Sequence, residues 1–167
     1  MPQPLLSPRN DIVFKLLFGD ARHTEPLTGF LKAALDLPPE DLLDLLDIVL
    51  VDPHLNDIKS KQGILDIKAK TGTGKMVDIE IQLTEQPQMR ERIVFYLSRM
   101  VAEQVSCGDS YRKIMRSICI LITNYAQIPE NNCYHNRYRL HDPRTGSEFT
   151  DLVEVNTLEL LIMKRFT

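Results

Sequence analysis

The sequence predicts a mixed α/β (α+β) domain in which helices flank a central sheet. The order of elements is the first indication: two helices come first, then three strands, a long helix and further strands. The second is the run Ser-Ile-Cys-Ile-Leu-Ile at residues 117–122, which is typical of a strand buried on both faces. A chain of 167 residues, 43% of them hydrophobic, is long enough for one such domain.

Helices near the N-terminus follow from apolar spacing and capping residues. The first is predicted at residues 10–18, where Asn10 or Asp11 can cap its N-terminus. Residues 24–35 have the apolar spacing of a second helix. Residues 41–46 are expected to form one or two further helical turns.

A longer helix is predicted at residues 88–106, and Gly108 is expected to end it. Apolar side chains recur at helical spacing along this segment, which indicates one buried face. These side chains are Met89, Ile93, Leu97, Met100, Val101 and Val105.

Six strands are predicted along the rest of the chain. The first covers residues 47–53, and residues 63–83 form two strands joined by a tight Gly-containing turn. Residues 116–123 form the buried central strand. Two more strands, at residues 134–141 and 149–156, flank a turn that contains Pro and Gly.

The hairpin at residues 63–83 carries the candidate site. Side chains in a strand alternate between faces, so one face of its second strand carries Met76, Asp78, Glu80 and Gln82. If the turn centres near Thr73, Asp66 lies opposite Glu80 and the two carboxylates meet on one face. This arrangement predicts a divalent-metal site with an amide beside it. A slip of one residue in register would separate the carboxylates.

These residues resemble the PD-(D/E)XK nuclease superfamily and, within it, the family of recombination-promoting nucleases and related transposases. The resemblance rests on residues 10–19, on the hairpin from Leu65-Asp66 to Glu80-Ile-Gln82, and on residues 92–111. Residues 152–160 also look like the strand that closes the core of the family. Together these segments cover most of the chain, and their order and spacing match the family.

The resemblance implies a restriction-endonuclease-like core over residues 10–167, after an irregular Pro-rich arm at residues 1–9. Family members continue past the core into a helical region, which this chain is expected to lack. We therefore carry two hypotheses. The first is an Mg2+-dependent DNA endonuclease associated with recombination or mobile elements. The alternative is a truncated, non-catalytic remnant that binds DNA or a protein partner and, through exposed apolar surface, forms homo-oligomers.

The resemblance also assigns chemical roles within the hairpin. Asp66, Glu80 and the backbone carbonyl of Ile81 would hold Mg2+ or Mn2+, which prefer hard oxygen ligands. Gln82 stands where the superfamily has a lysine, and its amide can orient a water but carries no charge. Lys68, predicted on the face of Asp66, is a candidate for the missing positive charge. The alternative is that these side chains form the solvated face of an amphipathic hairpin.

Further residues are candidates for accessory roles. Asp11 is either a helix cap or a carboxylate near the metal, and Asp78 either supports the site or is a solvated surface charge. Arg92 and Arg99 are seven residues apart and share a helix face, from which they and Gln104 could contact DNA phosphates. The alternative is a solvated helix edge paired with neighbouring glutamates.

Composition bounds the remaining possibilities. The net charge of -3 gives no global attraction to nucleic acid, so DNA binding would depend on local basic patches. No apolar run is long enough to span a membrane and no signal peptide is evident, which predicts a cytoplasmic protein. The three cysteines form no C-x-x-C pair. The sequence also lacks a P-loop, G-x-G-x-x-G, G-x-S-x-G and H-E-x-x-H.

Overall fold

A computed structural model describes residues 11–35, 45–51 and 66–163 of the chain. The chain forms two compact units, Met1–Gly72 and Thr73–Thr167. The predicted arm at residues 1–9 lies outside the described residues. No helix within the described ranges is long and apolar enough to cross a membrane.

The first unit contains two helices that both match their predicted positions. Helix α1 spans Asp11–Phe18 and helix α2 spans Glu25–Ala34. The buried face of α2 carries Leu27, Leu31 and Ala34. Three phenylalanine rings pack between the two helices, with centroids 4.5 to 5.9 Å apart: Phe14, Phe18 and Phe30.

Two antiparallel strands complete the described part of this unit. Strand β1 spans Leu45–Val51 and pairs with β2, Asp66–Thr71. The prediction of helical turns at residues 41–46 is wrong at its end, because Leu45 and Leu46 lie in β1. Pairing with β2 supplies hydrogen bonds that override the local helical preference. Residues 41–44 lie outside the described residues.

The second unit contains a mixed four-stranded sheet. Its strands are β3, Met76–Gln82; β4, Ser117–Thr123; β5, His135–His141; and β6, Glu148–Glu159. They lie in the order β3-β4-β6-β5, in which β4 is parallel to both neighbours and β5 is antiparallel to β6. All seven residues of β4 are buried, which confirms the predicted central strand. The predicted class, a mixed sheet with helices, is confirmed.

Helix α3, Met89–Ala102, covers one face of this sheet. Its buried residues are Met89, Ile93, Leu97 and Met100, as the apolar spacing predicts, and it ends four residues before the predicted position. The helix packs against Cys119 and Leu121 of β4, with side chains of β6 completing the cluster. A 3₁₀ helix, Tyr111–Lys113, and a final turn of helix α4, Leu160–Met163, were not predicted.

The turn between β5 and β6 depends on a glycine. Gly146 has φ +71°, and its N–H donates to the carbonyl of Asp142 at 2.8 Å. We expect Gly146→Ala to lower the free energy of unfolding by about 1–2 kcal/mol, because a Cβ disfavours this left-handed conformation. Urea denaturation measures the change. The control is Gly29→Ala in α2, where a Cβ meets nothing within 4 Å; it should raise stability by up to about 1 kcal/mol. Equal effects of the two changes would contradict the prediction.

Candidate functional site

The acidic face of β3 lies under helix α3. In the sheet register, Asp78 pairs with Cys119 and Glu80 pairs with Leu121. Because paired residues share a face, the two carboxylates are on the side of the sheet that α3 covers. Asp78 is 1% exposed and Glu80 is 0% exposed. The strand therefore presents buried carboxylates where the alternative hypothesis expects a solvated face.

Glu80 is held by a cation from the helix. Nη2 of Arg92 donates a hydrogen bond to Oε1 of Glu80 at 3.2 Å. The same Nη2 lies 3.2 Å from the hydroxyl of Tyr96, and the guanidinium sits 5.6 Å from the centroid of that ring. An ionised carboxylate buried without compensation costs several kcal/mol, and Arg92 supplies such compensation to Glu80.

Gln82 is fixed by the turn that follows β3. Its Nε2 donates to the carbonyl of Thr84 at 3.0 Å, which orients the amide. The residue is partly buried and shares the face of Glu80 two positions earlier. Ile81 lies on the opposite face and pairs with Ile122 of β4.

The remaining candidate side chains belong to the first unit. Asp66 and Asp11 have described backbones, in β2 and α1, but their side chains lie outside the described part of the chain. Lys68 is partly buried in β2, where it pairs with Val49. The meeting of Asp66 with Glu80, and the accessory roles of Asp11 and Lys68, therefore stay predictions.

All three predicted DNA contacts make other bonds in the structure, and those of Arg92 are to Glu80 and Tyr96. Arg99 is 64% exposed and its Nε donates to Glu103 at 2.6 Å, as the helix-edge alternative expects. Gln104 donates to Oγ of Ser117 at 2.9 Å and accepts from the N–H of Met115 at 2.7 Å. Gln104 thus fastens the segment after α3 to the start of β4. Contact of these residues with DNA stays a prediction.

A second charged cluster, which sequence reasoning missed, surrounds Glu154 on the opposite face of the sheet. Glu154 is 2% exposed and accepts from Nε of Arg139 at 2.6 Å and from Nδ2 of Asn156 at 2.8 Å. Arg116 also donates to it, and Nε of Arg137 lies 3.6 Å away. Burial alone raises the pKa of Glu154, but hydrogen bonds from Asn156 and Arg139 and the charge of Arg116 outweigh it. The pKa of Glu154 is consequently held below its ordinary value.

Glu159, at the end of β6, has the opposite environment. Glu159 is 1% exposed. It pairs with Thr123, which pairs with Gln82 of β3, so Glu159 lies on the same face of the sheet as Glu80. Burial raises the pKa of Glu159, and the hydrogen bond that it accepts from the N–H of Gln127 at 3.2 Å opposes this only in part.

The donor chemistry on the α3-covered face of β3 suits a hard divalent cation. Mg2+ takes one or two protein carboxylates and keeps several waters. Glu80 and Asp78 supply hard oxygens on one face, and Gln82 adds an amide oxygen. No group of three or more His, Cys, Asp or Glu that could hold a metal ion occurs among the described residues, which exclude the side chain of Asp66.

The mixed sheet with flanking helices is consistent with the class of restriction-endonuclease-like PD-(D/E)XK proteins. The chain belongs to one family of this class: the family model described as PD-(D/E)XK nuclease family transposase matches residues 8–167. The predicted resemblance is confirmed, and the family indicates a nuclease-type function. No curated protein and no solved structure matches the chain.

Proposed function

We propose that this protein is an Mg2+-dependent DNA endonuclease that hydrolyses phosphodiester bonds in recombination or in the movement of mobile elements. The observation that carries the proposal is the complete burial of Glu80 within the Asp-Ile-Glu-Ile-Gln strand. Buried ion pairs contribute little to stability compared with apolar residues of similar volume. A fully buried glutamate at this position, on a chain of this family, is therefore best explained by chemistry.

The residues have distinct proposed roles. Asp66, Glu80 and the carbonyl of Ile81 hold the metal, which when bound activates a water and relieves negative charge on the phosphate. Gln82 orients the water through its Oε1, because its Nε2 is engaged by the carbonyl of Thr84. Asp78 supports this arrangement from the same face. Mn2+ is expected to replace Mg2+, since both prefer oxygen ligands.

Other parts of the proposal concern partners and setting. DNA is the proposed substrate. The sequence predicts Arg92, Arg99 and Gln104 as phosphate contacts, and Arg99, which is 64% exposed, is the best placed of the three. We propose a cytoplasmic protein without a membrane partner, and a homo-oligomer as its possible assembly. The net charge of -3 implies that DNA affinity depends on a few local cations and falls with added salt.

Cleavage of supercoiled plasmid tests the function. We expect nicking with Mg2+, none with EDTA, and a loss of roughly a hundredfold or more in Asp66→Ala, because a metal ligand is removed. Circular dichroism must first show that each protein is folded. Asp109→Ala, at a partly exposed aspartate in the loop after α3, is the matched control and should cleave normally. Metal-dependent cleavage that survives both Asp66→Ala and Glu80→Ala would refute the assignment. A folded wild type that never cleaves would favour the non-catalytic alternative.

A further inference from the structure

We propose that Arg92 is the positioning residue and counter-charge of Glu80 rather than a DNA contact. This inference rests on the proposed function, since it assigns Arg92 a part in the same site. Arg92 orients the buried carboxylate of Glu80, and a divalent cation that binds Glu80 must share the carboxylate with this guanidinium.

Geometry separates Arg92 from the other arginines of α3. Its side chain is only 26% exposed and its Nη2 reaches a carboxylate that is 0% exposed. Arg99, two turns along the same helix, is 64% exposed and pairs with Glu103 at the surface. Arg90 donates to the carbonyl of Gln127. Arg92 is thus the arginine of α3 that spans from the helix to the acidic face of β3.

Tyr96 keeps Arg92 in this place. It lies one helical turn further on, so its hydroxyl and its ring both reach the guanidinium. Contact with an aromatic face stabilises a cation and limits its freedom. The guanidinium is therefore preorganised against Glu80, which is what a positioning residue requires. A residue that contacted only DNA phosphate would need no such support on the inner side.

The positive charge of Arg92 affects how tightly the site binds a metal ion. Gln82 carries no charge, so Arg92 brings a positive charge to the site from a different element. A cation within hydrogen-bond distance of Glu80 lowers the affinity of the carboxylate for a second cation. Wild-type protein should therefore bind a divalent metal less tightly than a variant that lacks Arg92.

Isothermal titration with Mn2+ is the direct test, on wild type, Arg92→Met and the matched control Arg99→Met. We expect Arg92→Met to bind Mn2+ roughly tenfold more tightly, an ordinary size for coupling between two ligands. Arg99→Met should match wild type. The Mn2+ affinity of Arg92→Lys should lie between those of Arg92→Met and wild type. An ammonium restores the charge but lacks the planar guanidinium that contacts both Glu80 and Tyr96.

DNA binding measured in Ca2+ and plasmid cleavage measured in Mg2+ separate positioning from phosphate contact. Arg92→Met should keep its DNA affinity within about twofold of wild type and lose most of its cleavage rate at saturating DNA. Unchanged Mn2+ affinity together with weakened DNA binding would overturn the proposal and make Arg92 a phosphate contact.

A thermodynamic cycle in EDTA judges the pairing independently of metal and activity. Arg92→Met should lower Tm in the wild-type background and have little effect in a Glu80→Gln background, since the partner charge is already gone. Equal Tm losses in both backgrounds would show that Arg92 and Glu80 do not form a stabilising pair. If wild type neither binds Mn2+ nor cleaves, the proposed function fails, whereas this cycle still decides whether Arg92 serves Glu80. Should Arg92→Met not fold, Arg92→Gln, which also lacks the charge, replaces it in every measurement.

Discussion

Glu80→Gln is expected to abolish cleavage while leaving the protein folded. The amide has nearly the volume of the carboxylate, so the packing beneath α3 is preserved, but the negative charge that attracts a divalent metal is lost. We expect cleavage to fall at least roughly a hundredfold, as for the removal of groups that hold a metal. The stability cost should be only about 1–3 kcal/mol, the usual contribution of a hydrogen bond to a charged group. Arg92, partly exposed, retains access to water.

Activity is measured as the initial rate of plasmid nicking at saturating Mg2+. The free energy of unfolding is measured by urea denaturation. Glu91→Gln is the matched control, because Glu91 is an exposed glutamate of α3 next to Arg92. It should cleave at the wild-type rate. If Glu80→Gln also cleaves at that rate, Glu80 does not hold the metal, and the buried ion pair has only a structural role.

Elements with a strong apolar pattern could be predicted from sequence alone. Strand β4 is an unbroken apolar run, and such a run is buried on both faces wherever it lies in a sheet. The apolar stripe of α3 likewise requires a sheet or helix to cover it. The end of α3 was placed too late because Val101 and Val105 continue the stripe. The structure ends the helix at Ala102 and leaves both valines partly buried.

The burial of the acidic face of β3 could not be predicted from its sequence. Alternation correctly placed Asp78 and Glu80 on one face, but the same alternation is typical of a solvated amphipathic strand. Which face is covered depends on α3 packing over Cys119 and Leu121, and these contacts form between distant parts of the chain. The pairing of Glu80 with Arg92 follows from that packing and has no local signal.

The Glu154 cluster was missed for a similar reason. Arg116 is 38 residues from Glu154, and the two meet only because β4 and β6 are parallel neighbours. Arg137 and Arg139 reach the same carboxylate through the antiparallel pairing of β5 with β6. In sequence, residues 134–141 predict only a strand beside a turn that contains Pro and Gly. Three arginines around one buried acid is a tertiary feature.

That cluster supports the second large prediction. Glu154→Gln removes the negative charge that compensates three arginines, and we expect the free energy of unfolding to fall by about 3–5 kcal/mol at neutral pH. Glu159→Gln is the matched control in the same strand. Glu159 is equally buried, yet among the described residues no ion pair reaches it, and a Gln oxygen can still accept from the N–H of Gln127. Its replacement should be neutral or stabilising.

The two variants should also respond to pH in opposite directions. The pKa of Glu154 lies below the ordinary 4.5 in the folded protein, so its stabilisation is complete above 4.5 and is lost as pH falls through the folded pKa. The pKa of Glu159 is raised above 4.5, so its contribution is most favourable below 4.5 and is lost as pH rises through the folded pKa. Urea denaturation of both variants and wild type from about pH 3, which is below the ordinary carboxyl pKa of 4.5, to about pH 8 measures these differences. The stability lost in Glu154→Gln should become smaller as the pH falls. The free energy of unfolding of Glu159→Gln, relative to wild type, should increase as the pH rises toward neutral. Parallel pH profiles would mean that burial alone, and not the arginines, governs both carboxylates.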